Sequence, residues 1–190
     1  MEKNTQIQIA QAVQALIQGE VIAYPTEAVY GVGCDPDNRD AIAALLALKQ
    51  RPKSKGLILV AANMEQLHQY IDLSQLSESR LAEINASWPG PNTWVMPAQP
   101  HLTEDLIGQF DTIAVRVSDH PLVQQLCRQF GKPITSTSAN LSGQAPGLSA
   151  LEVERQLAGQ IKHIIDGPLG GLANPTHIRD ARTGATIRQG

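Results

Sequence analysis

Short apolar runs alternate with stretches of helical period along this chain, and several runs follow one another with no helix between them. That order constrains the fold more than any single motif. Two strands joined by a short connection run antiparallel, whereas parallel neighbours need a crossover of roughly a dozen residues or more, usually a helix. A chain with both kinds of connection builds a mixed sheet. The expected class is α+β (α/β): a mixed, twisted β-sheet flanked by helices.

Ile9, Val13, Leu16 and Ile17 recur at helical spacing and predict one apolar helix face, with Gly19 placed to close the helix. Residues 21–24 suit a buried strand. Asn38 suits the N-cap of a second helix whose core face is Ile42, Leu45, Leu46 and Leu48, and Pro52 stops it. Residues 57–61 (LILVA) predict a strand, and residues 63–86 predict two short helices broken near 72–74. The Trp88-Pro-Gly-Pro91 stretch predicts a loop, and 93–96 and 112–117 predict strands. Asp119 and Pro121 open a helix that Gly131 ends, and 133–137 is a further strand. Ser149 and Glu152 form a capping-box pattern for a last helix, and 161–165, 177–179 and 185–188 close the chain as strands. No repeat or shift in composition marks a boundary, so residues 1–190 are expected to form a single domain.

Aromatic residues make up only 4% of the chain, so the expected core is aliphatic. The net charge of −3 excludes a chain-wide affinity for nucleic acid, and any anion or RNA must meet a local patch. Cys34 and Cys127 fit no metal-ligand spacing and suit a reducing compartment as two small buried hydrophobes. His68, His101, His120, His163 and His177 are scattered singly and show no metal pattern. The N-terminus lacks the apolar run of a signal peptide, and no stretch approaches the roughly 20 apolar residues that cross a bilayer, so a cytoplasmic protein with no membrane partner is expected.

Three segments carry chemistry. In Lys49-Gln-Arg51-Pro-Lys53-Ser-Lys55-Gly56, four cations fall within seven residues between a helix end and a strand. Arginine forks and lysine point charges both pair with phosphate, although a solvated loop at a helix C-terminus would carry the same residues. In the segment 133–143 (PITSTSANLSG), four consecutive hydroxyl residues leave an apolar strand. They suit a polar or phosphate ligand, or simply a Ser/Thr-rich turn. The segment 24–34 (YPTEAVYGVGC) follows a strand and carries a threonine, an acid and two glycines, but it fits neither a dinucleotide fingerprint nor a P-loop. Arg116 lies inside an apolar strand and must be paired, by a carboxylate ligand or by an internal Asp or Glu.

Six segments together resemble the YrdC family of threonylcarbamoyl-AMP synthases: YPTEAVYGVG, KQRP, WPGPNT, IAVRVSDHP, PITSTSANLSG and the closing IRQG. They stand in the family's order and cover nearly the whole chain, in the bacterial single-domain form. The resemblance implies a YrdC-like fold with a concave basic surface. It implies an enzyme that forms threonylcarbamoyl-adenylate and pyrophosphate from L-threonine, bicarbonate and ATP. A separate tRNA-modifying transferase complex would then use the adenylate. ATP enters as substrate and Mg²⁺ is carried by the nucleotide, since no carboxylate cage is evident. The family tetrad falls on Lys49, Arg51, Ser138 and Asn140 as catalytic and ATP-binding residues. The same likeness adds Lys55, Thr112 and Arg188 to the ATP site, and Thr26, Arg116 and Ser136 to the threonine site. Loop 167–176 is expected to be mobile without ligand, and whether it closes over the product is left open. Ala28, Gly56, Val60 and the run Asn174-Pro175-Thr176 depart from the common pattern, on the threonine side. The alternative is a non-catalytic protein that binds double-stranded RNA or tRNA and acts in ribosome maturation.

Overall fold

The computed structural model describes residues 2–141, 143–157 and 159–189. Ser142 and Gly190, which belong to two of the segments quoted above, lie outside the described residues. In chain order the elements are α1 (Glu2–Ile17), β1 (Ile22–Pro25), β2 (Tyr30–Gly33), α2 (Arg39–Leu48), β3 (Ile58–Ala61), α3 (Glu78–Ala86), β4 (Asn92–Pro97), α4 (Glu104–Ile107), β5 (Thr112–Val117), α5 (Pro121–Phe130), β6 (Ile134–Ser138), α6 (Ala150–Gln156), β7 (His163–Ile164), β8 (His177–Asp180) and β9 (Thr186–Arg188). Among the described residues the strands form one sheet in the order β7-β1-β2-β6-β3-β5-β4-β8-β9. The pairs β1/β7, β3/β5 and β4/β8 are parallel, and the remaining pairs are antiparallel. The mixed sheet expected from the order of apolar runs is the one that forms.

Helices cover both faces. On one face, Ile9, Val13 and Leu16 of α1 and Val123 and Leu126 of α5 pack over Ile22, Val60 and Ile134. On the other, Ile42 and Leu45 of α2, Ile84 of α3, Leu106 of α4 and Val153 of α6 pack against Leu59, Trp94 and Val115. Helix ends follow the local chemistry. Asn38 accepts a hydrogen bond from the Ala41 amide, Pro121 occupies the first turn of α5, and Gly131 ends that helix in the left-handed region (φ 84°).

Three expectations change. Ile17 was assigned to the buried face of α1 but is 61% exposed. It lies about 80° around the helix from Ile9, at the edge of the stripe that Ile9, Val13 and Leu16 define. The first of the two helices expected in 63–86 is replaced by 3₁₀ turns at Glu65–Leu67 and Leu73–Gln75. There the Asn63 and Asp72 carboxamide and carboxylate accept the Gln66 and Ser74 amides, and such local side-chain bonds compete with helix propagation. Finally, the glycine-bearing segment after β1 contains a strand, β2. Gly33 lies so close to β6 that a Cβ there would stand 1.9 Å from the Thr135 carbonyl oxygen. Only glycine permits that approach.

The register positions the site. Ile134, Val60 and Arg116 form one row across β6, β3 and β5, and Ser136, Ile58 and Ala114 form the next. Directly paired residues share a face of the sheet. Helices α1 and α5 cover Val60 and Ile134 but leave the second row open.

Candidate active site

The uncovered end of that face is the floor of a cavity of about 600 Å³. Its size falls within the range of small-molecule and cofactor sites. Ile58, Ala114, Ser136 and Ser138 come up from the sheet, and Arg51, Lys55, Arg116 and Arg188 bring four cations to the lining, which among the described residues includes no Asp or Glu. An acidic chain has thus gathered positive charge in one concave place, where low-dielectric walls strengthen its field.

The basic cluster is dispersed by its backbone. Helix α2 stops at Leu48, Lys49 is its C-cap, and Gln50 adopts a left-handed conformation (φ 48°). The chain then passes Pro52 into a single 3₁₀ turn, Lys53–Lys55. Each cation consequently points to a different destination. Lys49 is 5% exposed, and its ammonium donates to the Ser138 carbonyl (2.5 Å), the Asn140 carbonyl and the Asn140 Oδ1 (2.8 Å). Burial, followed by the neighbouring Arg51 charge, pulls its pKa down to about 8. Arg51 donates through Nε and Nη2 to the Gly56 carbonyl (3.2 and 2.9 Å), and burial lowers its pKa. Lys53 turns away to pair with Asp105 (2.8 Å), a carboxylate it shares with Arg39. Lys55 lines the cavity.

At the other end, Ser138 Oγ donates to Asn140 Oδ1 (2.6 Å), and the Asn140 amide donates to the Leu141 and Gln144 carbonyls. Thr26 Oγ1 donates to the Val29 carbonyl (2.7 Å) across the turn between β1 and β2. Arg188 donates to the Thr176 carbonyl (2.8 Å), and its pKa is lowered by burial and then by the nearby Arg116 charge.

Arg116 meets an internal acid: its Nη2 lies 3.1 Å from Glu27 Oε2. Glu27 Oε1 in turn accepts a 2.6 Å hydrogen bond from Ser118 Oγ. Arg116 Nε is buried with no hydrogen-bond partner among the described residues. The internal partner that the sequence left open is therefore Glu27, while the arginine still faces the cavity.

Thr26, Arg51, Lys55, Thr112, Arg116, Ser136, Ser138 and Arg188 all line this one cavity. Lys49 and Asn140 stand behind its wall, joined to each other and to Ser138. Val60 lies under α1 and α5, away from the cavity, so its departure from the family pattern does not touch the cavity lining. The sequence noted the acid at position 27 but not its pairing with Arg116, and it did not single out Phe110 and Ile187 at the partly exposed rim. An acid two residues after a strand, in a chain with an arginine inside another strand, was the one available signal for Glu27.

Comparison with known proteins gives the same answer from independent directions. The Sua5_yciO_yrdC family model, described as telomere recombination, matches residues 14–190. The chain is 59% identical over 180 residues to a threonylcarbamoyl-AMP synthase of Vibrio parahaemolyticus, covering 95% of this chain and 97% of that one. It is 60% identical over 178 residues to a protein of the same name from Serratia proteamaculans, covering 94% of each. Among solved structures, P. abyssi Sua5 complexed with L-threonine superposes with a TM-score of 0.84 at 31% identity, over 90% of this chain and 50% of that one. E. coli YciO superposes with a TM-score of 0.82 at 26% identity, over 97% of this chain and 89% of that one. A cationic cavity built on a mixed sheet, a family match over most of the length and near-full-length relatives agree: the chain belongs to the Sua5/YciO/YrdC family.

Proposed function

We infer that this protein is a threonylcarbamoyl-AMP synthase, a nucleotidyltransferase that makes threonylcarbamoyl-adenylate and pyrophosphate from L-threonine, bicarbonate and ATP. The observation that carries the reading is the cavity itself, with four cations and several hydroxyls in its lining and no carboxylate among the described residues. The relatives of like length that bear this name extend it to this chain, and the threonine-bound relative supports an amino-acid site in this fold.

The chemistry asks for such a lining. The threonine amine condenses with bicarbonate to give a carbamate and water. A carbamate oxygen then attacks the α-phosphorus of ATP, the bond to the bridging oxygen breaks, and pyrophosphate leaves. In the adenylation step both the carbamate and ATP are anionic, so the protein's task is to hold them together and offset their charge. Arg51, Lys55 and Arg188 face the triphosphate, with the Thr112 and Ser138 hydroxyls beside it. Arg116 takes the threonine carboxylate, next to Thr26 and Ser136. Lys49 and Asn140 shape the wall that presents Ser138. Magnesium enters as part of the MgATP substrate, and the adenylate passes to a transferase complex that modifies tRNA.

Pyrophosphate release by the purified protein should require both threonine and bicarbonate. Release that ignores threonine, or that persists unchanged in Arg51→Ala, overturns the assignment. A non-catalytic binder of duplex RNA would instead show salt-dependent RNA affinity with no small-molecule requirement.

A further inference from the structure

We propose that Glu27 is the positioning residue of the threonine site, holding the Arg116 guanidinium at the angle and charge balance that admit one amino-acid carboxylate; this rests on the reading of Arg116 given above. Glu27 is 2% exposed and does not line the cavity, so it has no direct path to a ligand. Its two oxygens are divided. Oε2 meets Arg116 Nη2 at 3.1 Å, and Oε1 accepts from Ser118 Oγ at 2.6 Å. Ser118 is itself fixed: its Oγ accepts from the His120 amide (3.1 Å) and its carbonyl accepts from the Gln124 side chain (3.0 Å) at the start of α5. The carboxylate is therefore braced by a helix start before it touches the arginine.

This bracing has two effects on Arg116. The contact is an ion pair: among the described residues Glu27 Oε2 makes no hydrogen bond, so the fixed acid draws the guanidinium toward one corner by charge, and bidentate recognition of a carboxylate depends on where that leaves the planar fork. The charge balance also matters, because burial and then the nearby Arg116 charge lower the Arg188 pKa. Glu27 offsets that repulsion from the buried side, leaving the cavity side of Arg116 to an incoming anion. Glu27 further ties this pair to the late loop. Its carbonyl accepts the Leu172 amide (3.0 Å), the adjacent Thr26 carbonyl accepts the Gly170 amide (3.0 Å), and a Cβ on Gly170 would stand 2.8 Å from Glu27 Cα. The acid that orients the arginine is thus on the same turn that anchors the loop beside the site.

Glu27→Gln preserves size and an acceptor for Ser118 but removes the charge. Steady-state pyrophosphate release should show the threonine KM rising about tenfold while the ATP KM stays within about twofold, a split that loss of packing alone would not give. The Glu27→Gln/Arg116→Gln double variant should be no worse for threonine than Arg116→Gln alone, since one residue acts through the other. An equal rise in both KM values, or multiplicative losses in the double variant, overturns the proposal. Should Glu27→Gln fail to fold, Ser118→Ala decides: it keeps the charge and loses one brace, and should raise the threonine KM about threefold; an unchanged value overturns the proposal. If Arg116→Gln itself leaves the threonine KM unchanged, the carboxylate assignment to Arg116 is what fails. If Arg116→Gln raises it and Glu27→Gln does not, only the role of Glu27 fails.

Discussion

One face of one sheet carries both a packed row and an open one. Ile134 and Val60 lie fully buried under α1 and α5, while Ser136 and Ile58, one pleat further along the same two strands, line a cavity. Arg116 shares the row of Ile134 and Val60 across the sheet, which explains why it is buried and why it needs an acid. The difference between the two regions is not in backbone geometry, which is continuous. It lies in what covers the pleat: helices over the first row, an open cavity over the second. Stability and activity should therefore separate along a single strand.

The largest expected effect is on the open side. Arg51→Ala should lower kcat/KM by about 3–4 kcal/mol of transition-state stabilisation, with unfolding free energy changed by no more than about 1 kcal/mol. A large loss of stability with it would erase the contrast. On the covered side, Ile134→Ala should cost about 2–3 kcal/mol in urea unfolding while the folded fraction keeps its KM values. A selective rise in either KM would mean that the covered row reaches the site. Two residues further on, Ser136→Ala should weaken threonine use by about 1 kcal/mol and leave the unfolding midpoint nearly unchanged. The smallest effect concerns pH. Burial holds Lys49 at about 8, so its ammonium is lost as pH rises past that value, one positive charge leaves the wall, and ATP affinity should fall. Calorimetry at pH 7 and pH 9 should show about a threefold weakening that Lys49→Met abolishes.

The sequence disclosed what local chemistry decides. Residues 112–117 form a strand with the bounds expected for it, Gly131 ends α5, and Ser149 caps α6 by accepting from the Glu152 amide. These depend on side chains within a few positions of one another. The resemblance of six ordered segments brought Arg51, Lys55, Arg116 and Arg188 to one site before any geometry was known, and the structure gathers them around one cavity. What stayed hidden depends on distant partners. β2 is not among the strands expected from the sequence, and its place depends on Thr135, on another strand, coming against Gly33. Glu27 reads as one acid among many until it is placed against Arg116. The four-residue helix α4 is too short for a periodic pattern.

Lys49 offers a different lesson. Its three protons all go to oxygens of residues 138 and 140, and two of those oxygens belong to the main chain. The lysine therefore works as a clasp that specifies a path for the backbone more than the identity of a side chain. The turn after α2 and the turn after β6, up to 91 positions apart, behave as one transferable part. A designer moving this site to another scaffold would have to carry both turns and the bond between them, and could choose the length of chain that joins them.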